Sequence, residues 1–288
     1  MSTKTRITLL NSMADPDFDR ALDRHVAWGL ETLDLKDCIY GNTITALPLG
    51  EAERAAAAIA GRKLSVYCFS TSLFSGEMDV GESEFRKRHL DPLAGVLANA
   101  KILKPHCIRL IAAQTRRRRE LSNAVSYLRE NHAWLLPLYA EAIERIHAAG
   151  FATVIENEVA NSIFSTPREI REFFTALGLR DKVSFTWDIA NLWQMGTFPT
   201  LDVYSQIKDL IGYVHVKGGL RGDDNAFAFA SALEDASWPV IDIVQAAIRD
   251  GVSPVICLNP PHGKPRDGYD FKNVTQRDLE FLRGVCNI

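Results

Sequence analysis

The sequence predicts an α/β chain folded as a single (β/α)8 TIM barrel, and three observations carry that reading. The segments FATVIENE, KVSFTWDIANLW and IGYVHVKGG are short apolar runs, each closing on a residue able to bind a divalent cation: Glu156, Asp188 and His215. A helical pattern follows each run, and the three residues stand 32 and then 27 positions apart, the length of a strand-and-helix repeat. The chain has 288 residues, and a closed barrel of eight such repeats takes about 250, so residues 1–288 read as one domain. In that architecture the C-terminal ends of the strands converge on one mouth, where side chains from different strands meet.

The first repeat is RITLLNS, β-prone and apolar, with Asn11 near the mouth and a helix expected after Asp15 with Pro16 in its first turn. The second alternates from Leu30 to Leu35 and ends near Lys36, which brings Asp34 and Lys36 toward the mouth. EAERAAAAIAGR is helical by propensity, and LSVYCFS is the third strand, ending at Ser70 and Thr71. GEMDVGESEFRKRHL reads as a loop entering the helix of LDPLAGVLANAKILK.

CIRLIAAQ is the fourth strand, with Gln114 just past its end, and four consecutive arginines, Arg116 to Arg119, come next. They read as a solvated helix entry or as a clamp for an anionic substrate. The stretch LSNAVSYLRENHAWLLPLYAEAIERIHAAG is amphipathic, ends at Gly150, and is expected to kink or break at Pro137. His132 and His147 within it read as surface or packing residues. STPREIREFFTALG carries a hydroxyl cap, an early proline and a terminal glycine, and TFPTLDVYSQIKDLIG repeats the pattern. A long irregular loop follows Lys217. WPVIDIVQAAIRDG, SPVICLN and NVTQRDLEFLRGVC then supply a helix, the eighth strand and the closing helix.

Bulk properties narrow the class. Apolar residues make up 47% of the chain, enough for a large core, and no run reaches the 18 or so residues that would span a bilayer. A net charge of -3 gives no general attraction for nucleic acid. The five cysteines form no CxxC pair, and Cys68, Cys107 and Cys257 fall in predicted strands, so they read as reduced core thiols in a cytoplasmic protein. The N-terminal segment has too short an apolar run for a secretory signal.

Four places in this order, IEN, WDIAN, HVK and CLNPPHG on the fifth to eighth strands, resemble the xylose isomerase-like TIM-barrel superfamily, the sugar phosphate isomerase/epimerase group. The resemblance spans nearly the whole chain. It implies a metal held by a Glu, an Asp, a His and a second Glu on those strands; Glu156, Asp188 and His215 match, and Asn259 stands where the second Glu is expected. It also implies that Lys217 and Asn191 contact substrate, that NPPHG with His262 corresponds to the family's EPH segment, and that a homo-oligomer is plausible.

These residues point to a divalent-metal-dependent isomerase or epimerase (Mn, Mg, Co or Zn) of a small sugar, keto-sugar or cyclitol, acting through an enediolate. Glu156 is then the base and Lys217 the group that stabilises developing negative charge. Glu158 shares the face of Glu156 and is a substrate contact, a second base or a loop cap. Because Asn259 cannot accept a proton, Glu158, His262 or water must replace it in any two-base scheme. A lyase or dehydratase, needing one base, and a non-catalytic sugar-binding protein are the other readings; a nuclease is disfavoured because only one of the seven histidines matches a ligand strand.

Overall fold

The computed structural model describes residues 5–261 and 266–287. Eight parallel strands form the barrel: β1 (Arg6–Leu9), β2 (Thr32–Leu35), β3 (Ser65–Ser70), β4 (Cys107–Ile111), β5 (Ala152–Glu156), β6 (Val183–Asp188), β7 (Ile211–Val216) and, after a two-stranded hairpin of β8 (Leu220–Arg221) and β9 (Phe227–Phe229), β10 (Val255–Leu258). Their order is β1-β10-β7-β6-β5-β4-β3-β2. The ring is nearly closed, since β1 and β2 meet through the parallel bridge Leu10–Asp34 and a 2.7 Å hydrogen bond from the Thr8 hydroxyl to the Thr32 carbonyl.

Two apolar layers follow from the alternation of side chains along the strands. One lies inside the ring and includes Tyr67, Cys68, Cys107, Val154, Tyr213 and Cys257. The larger lies between strands and helices, where Phe164, Phe173, Phe174 and Phe185 meet largely edge to face. All five cysteines are free thiols. Among the described residues no helix is long and apolar enough to cross a membrane.

Local chemistry explains most element boundaries. The helix Pro167–Leu177 starts at Thr166, whose hydroxyl accepts from the Glu169 amide at 3.2 Å, and ends at Gly178 with φ 72°. The helix expected after Asp15 departs from expectation: preceded by a short turn of helix Asn11–Ala14, it runs Phe18–Ala27, its cap is Asp17, and Pro16 lies outside it. The amphipathic stretch breaks at 132–134, between helices Ala124–Asn131 and Leu135–Ala148, leaving Pro137 in a first turn where no backbone donor is needed. His132 packs against Tyr127 and Trp134, and His147 is exposed. The loop after Lys217 is more regular than expected, because β8 and β9 fold part of it into a hairpin.

Two bulges set the register of the strands that carry the candidate ligands. Between β6 and β7 the pairing steps from Phe185–Ile211 to Thr186–Tyr213, with Gly212 as the extra residue, and brings Asp188 opposite His215. A Cβ at Gly212 would lie 2.1 Å from the Ser184 Oγ and 2.7 Å from its Cβ, so a larger residue there would have to displace Ser184. Between β2 and β3 the step from Leu33–Val66 to Asp34–Cys68 leaves Tyr67 extra.

Beyond β4 the chain is tied down by Tyr139, whose buried hydroxyl donates to the Ile111 carbonyl at 2.6 Å and accepts from the Ala113 amide at 2.9 Å. Tyr139→Phe orphans both backbone groups, and urea unfolding is expected to show a loss of about 2 kcal/mol or more.

Candidate functional site

The C-terminal ends of β4 to β7 and β10 surround a cavity of about 180 Å³. Its lining includes Glu156, Glu158, Asp188, Asn191, Lys217 and Asn259, together with Lys36 and Arg109. Glu156, Asp188 and His215 are 2%, 1% and 0% exposed, and one donor atom from each lies within 4.8 Å of the others. Buried anions at that density require compensation, and the partners show how it is achieved.

Glu156 is held from two sides. Its Oε2 accepts from the Arg109 guanidinium, and its Oε1 faces His215 Nδ1 at 3.1 Å. Burial alone would raise its carboxyl, but Arg109, His215 and Lys217 overrule that and bring it down to about 2. For His215 burial favours the neutral ring; the charges of Glu156, Asp34 and Asp188 outweigh it and move the imidazole above its ordinary value. On its far side, His215 Nε2 lies 3.7 Å from Asp34 Oδ2, which accepts from the Tyr213 hydroxyl at 2.9 Å. That separation is too long for a hydrogen bond, and Nε2 is buried without a hydrogen-bond partner.

Asp188 closes β6 and caps the next helix through its Oδ1, which accepts from the Asn191 amide at 2.8 Å. Its Oδ2 lies 3.2 Å from Lys217 Nζ and accepts from Asn259 Nδ2 at 3.3 Å. Asn157, on the opposite face from Glu156, pairs with the Asp188 backbone through both ends of its amide at 2.8 and 2.9 Å, locking β5 to β6.

Asn191 links the remaining two groups. Its Oδ1 accepts from Lys217 Nζ at 2.9 Å, and its Nδ2 donates to Glu158 Oε1 at 3.0 Å. A neutral amide thus holds an ammonium and a carboxylate apart on one wall. Glu158 also accepts from its neighbour's amide, Val159 N, at 2.9 Å. Burial, and then the charge of Glu156, pushes its carboxyl above the usual range.

The site therefore brings together Glu156, Glu158, Asp188, Asn191, His215, Lys217 and Asn259. His262 lies outside the described residues. Ser70, Thr71 and Asn11 are buried in structural hydrogen bonds: Thr71 donates to the Arg109 carbonyl at 2.6 Å, and Asn11 donates to the Asp37 carbonyl at 2.7 Å. Arg109 was not anticipated from the sequence. Its signal was a lone arginine in the apolar run CIRLI, which can be buried only beside an acid.

The three donors fit a divalent cation in type and convergence: two carboxylates and one imidazole. Asn259 presents its amide to the same point, Nδ2 standing 3.5 Å from His215 Nδ1, and exchange of its amide ends would offer oxygen instead. Arg109 and Lys217 occupy one oxygen each of Glu156 and Asp188, so an ion there would share its ligands with two internal cations.

Comparison with known proteins agrees with this architecture. No curated protein matches the sequence. Among solved structures, a xylose isomerase-like TIM barrel protein from Mycobacterium smegmatis in complex with magnesium superposes with a TM-score of 0.75 at 15% identity, covering 99% of this chain and 97% of that one. D-Psicose 3-epimerase from Clostridium cellulolyticum H10, crystallised with D-tagatose, gives 0.74 at 11% identity, with 98% and 99% covered. The probable 3-DHS dehydratase AsbF from Bacillus anthracis gives 0.70 at 14% identity, with 96% and 98% covered. At these identities the likeness is one of fold. Residues 22–230 match the family described as xylose isomerase-like TIM barrel, and the chain belongs to that family.

Proposed function

We propose that the protein is a divalent-metal-dependent isomerase of a small sugar, keto-sugar or cyclitol, working through an enediolate with Glu158 as its base. The observation that carries this reading is the clustering of donor atoms from Glu156, Asp188 and His215 beside a cavity that Glu156 and Asp188 line together with Glu158 and Lys217. Glu156, Asp188 and His215 would hold the ion, with Asn259 as a neutral fourth donor. When bound, the ion would polarise oxygens on adjacent substrate carbons and acidify the hydrogen on the hydroxyl-bearing carbon next to the carbonyl. The magnesium-bound relative and the sugar epimerase relative support the assignment by likeness of fold.

The chain's own groups divide the remaining work. Lys217, fixed by Asn191, is placed to stabilise negative charge growing on a substrate oxygen. Glu156 is a poor base because both of its oxygens are engaged and its carboxyl is held low. Glu158 is a better one: it is raised, it lines the cavity, and among the described residues only one of its carboxylate oxygens is engaged in hydrogen bonds. With Asn259 unable to take a proton, Glu158 is the one free base at the cavity among the described residues, which suits proton return to the same face. Epimerisation needs a donor on the opposite face.

The same single base also suits a lyase or dehydratase, and a dehydratase is among the structural relatives. Product analysis separates the readings, since isomerisation conserves composition and dehydration does not.

Glu158→Gln is expected to lower kcat by about 10²- to 10⁴-fold while metal content stays unchanged. Because the base must be ionised, kcat/KM should rise with pH through an acidic limb, and Glu158→Gln should lack that limb. Arg109→Met removes the only buried guanidinium beside Glu156 among the described residues. Metal-free Arg109→Met should therefore lose about 3–5 kcal/mol, and thermal unfolding should show metal restoring more stability to the variant than to the wild type.

A further inference from the structure

The loop after β4 carries Arg116, Arg117, Arg118 and Arg119, which the chemistry above does not use. Three of them are committed to neighbours. Arg116 pairs with Glu77; Arg117 pairs with Glu120 at 2.9 Å and lies over the Tyr127 ring at 5.2 Å; Arg118 is largely buried between Ser165 and Glu169, the latter at 3.1 Å. Arg119 is exposed and, among the described residues, has neither an ion pair nor a hydrogen bond.

Arg119 also has a cavity to serve. Together with Arg118, Ala160, Asn161, Gln194 and Met195 it lines a space of about 380 Å³. Gln194 lines both this space and the cavity holding Glu158 and Lys217, so the two adjoin across one side chain. Ala160, which shares this lining with the arginines, is strained in left-handed backbone at φ 49°, and Asn161 beside it, a residue that tolerates this conformation, follows at φ 66°. An alanine rarely does so unless its surroundings impose it, and such strain gathers at ligand sites. Here the restraint comes from the arginine loop itself, since the Thr115 amide donates to the Asn161 carbonyl at 2.9 Å and Gln114 bridges Ser162.

We propose that this second cavity is a subsite for an anionic group, phosphate or carboxylate, borne by the substrate whose reacting carbons occupy the central cavity, with Arg119 as its ligand. The proposal rests on the enediolate reading for what lies next door. A guanidinium offers a planar fork of donors that matches either oxyanion. Neutralising Arg116, Arg117 and Arg118 while leaving Arg119 open concentrates one positive charge at that wall of an otherwise acidic protein. Acidic partners thus turn a run of four like charges into one directed donor.

The test uses the full chain with ¹⁵N-labelled arginine side chains, titrated separately with inorganic phosphate and with D-gluconate. The Arg119 signal is assigned by its loss in Arg119→Lys, and Arg129, exposed on the following helix, serves as the internal reference. The proposal expects Arg119 to saturate at about tenfold lower anion than Arg129. Phosphate acting first identifies a phosphorylated substrate, and gluconate acting first identifies a sugar acid. Arg119 responding no earlier than Arg129 to either anion overturns the subsite. The titration is repeated in Asp188→Asn, which disables the central site. An Arg119 response surviving there upholds the subsite even if the central chemistry proves wrong.

Discussion

Glu156 cannot sit buried at the floor of its cavity without a cation, and the chain supplies one from the neighbouring strand. Arg109 is buried for that purpose, and its own burial is tolerable only because Glu156 and the Thr71 carbonyl, 3.1 Å from Nη2, receive its donors. The rest of the mouth repeats this logic. Lys217 answers Asp188, His215 stands between Glu156 and Asp34, and Asn191 keeps Lys217 from neutralising Glu158. The outcome is a division among carboxylates: Glu156 is held ionised, while Glu158 sits closer to protonation and facing the cavity.

That balance depends on register. A slip of one residue in β7 would turn His215 out of the barrel and a valine in. The bulge at Gly212 prevents the slip by fixing where β7 meets β6, and Asn157 secures the adjoining β5 to β6 seam. The mouth is then finished by loops tied to one another. The hairpin of β8 and β9 reaches back to the site through Phe227 packed on Trp193, and the Trp193 indole donates to the Asn225 carbonyl at 2.5 Å.

The barrel was legible because its strands end in chemically distinctive residues at repeat-length intervals, and Glu156, Asp188 and His215 do converge. Alternation along β5 also placed Glu156 and Glu158 on one cavity. What alternation could not convey was pairing between strands. Arg109 reads as one more residue of CIRLI until its partner 47 positions away is known, and the bulge that brings Asp188 opposite His215 has no sequence signal beyond a glycine. The break at 132–134 was missed for a local reason, since Pro137 looked like the breaker but serves as a first-turn residue. The four arginines illustrate the same limit: adjacency in sequence says nothing about which of them finds an acid.

The account stands or falls on whether Glu156, Asp188 and His215 hold an ion despite Arg109 and Lys217. Anomalous diffraction from crystals soaked in Mn²⁺ addresses this directly. The account predicts one strong peak within coordination distance of all three side chains, with Lys217 withdrawn from Asp188. Soaked crystals with no peak there, and with Lys217 and Asn259 still on Asp188, would contradict it and would mean that the internal cations have taken over the metal's place.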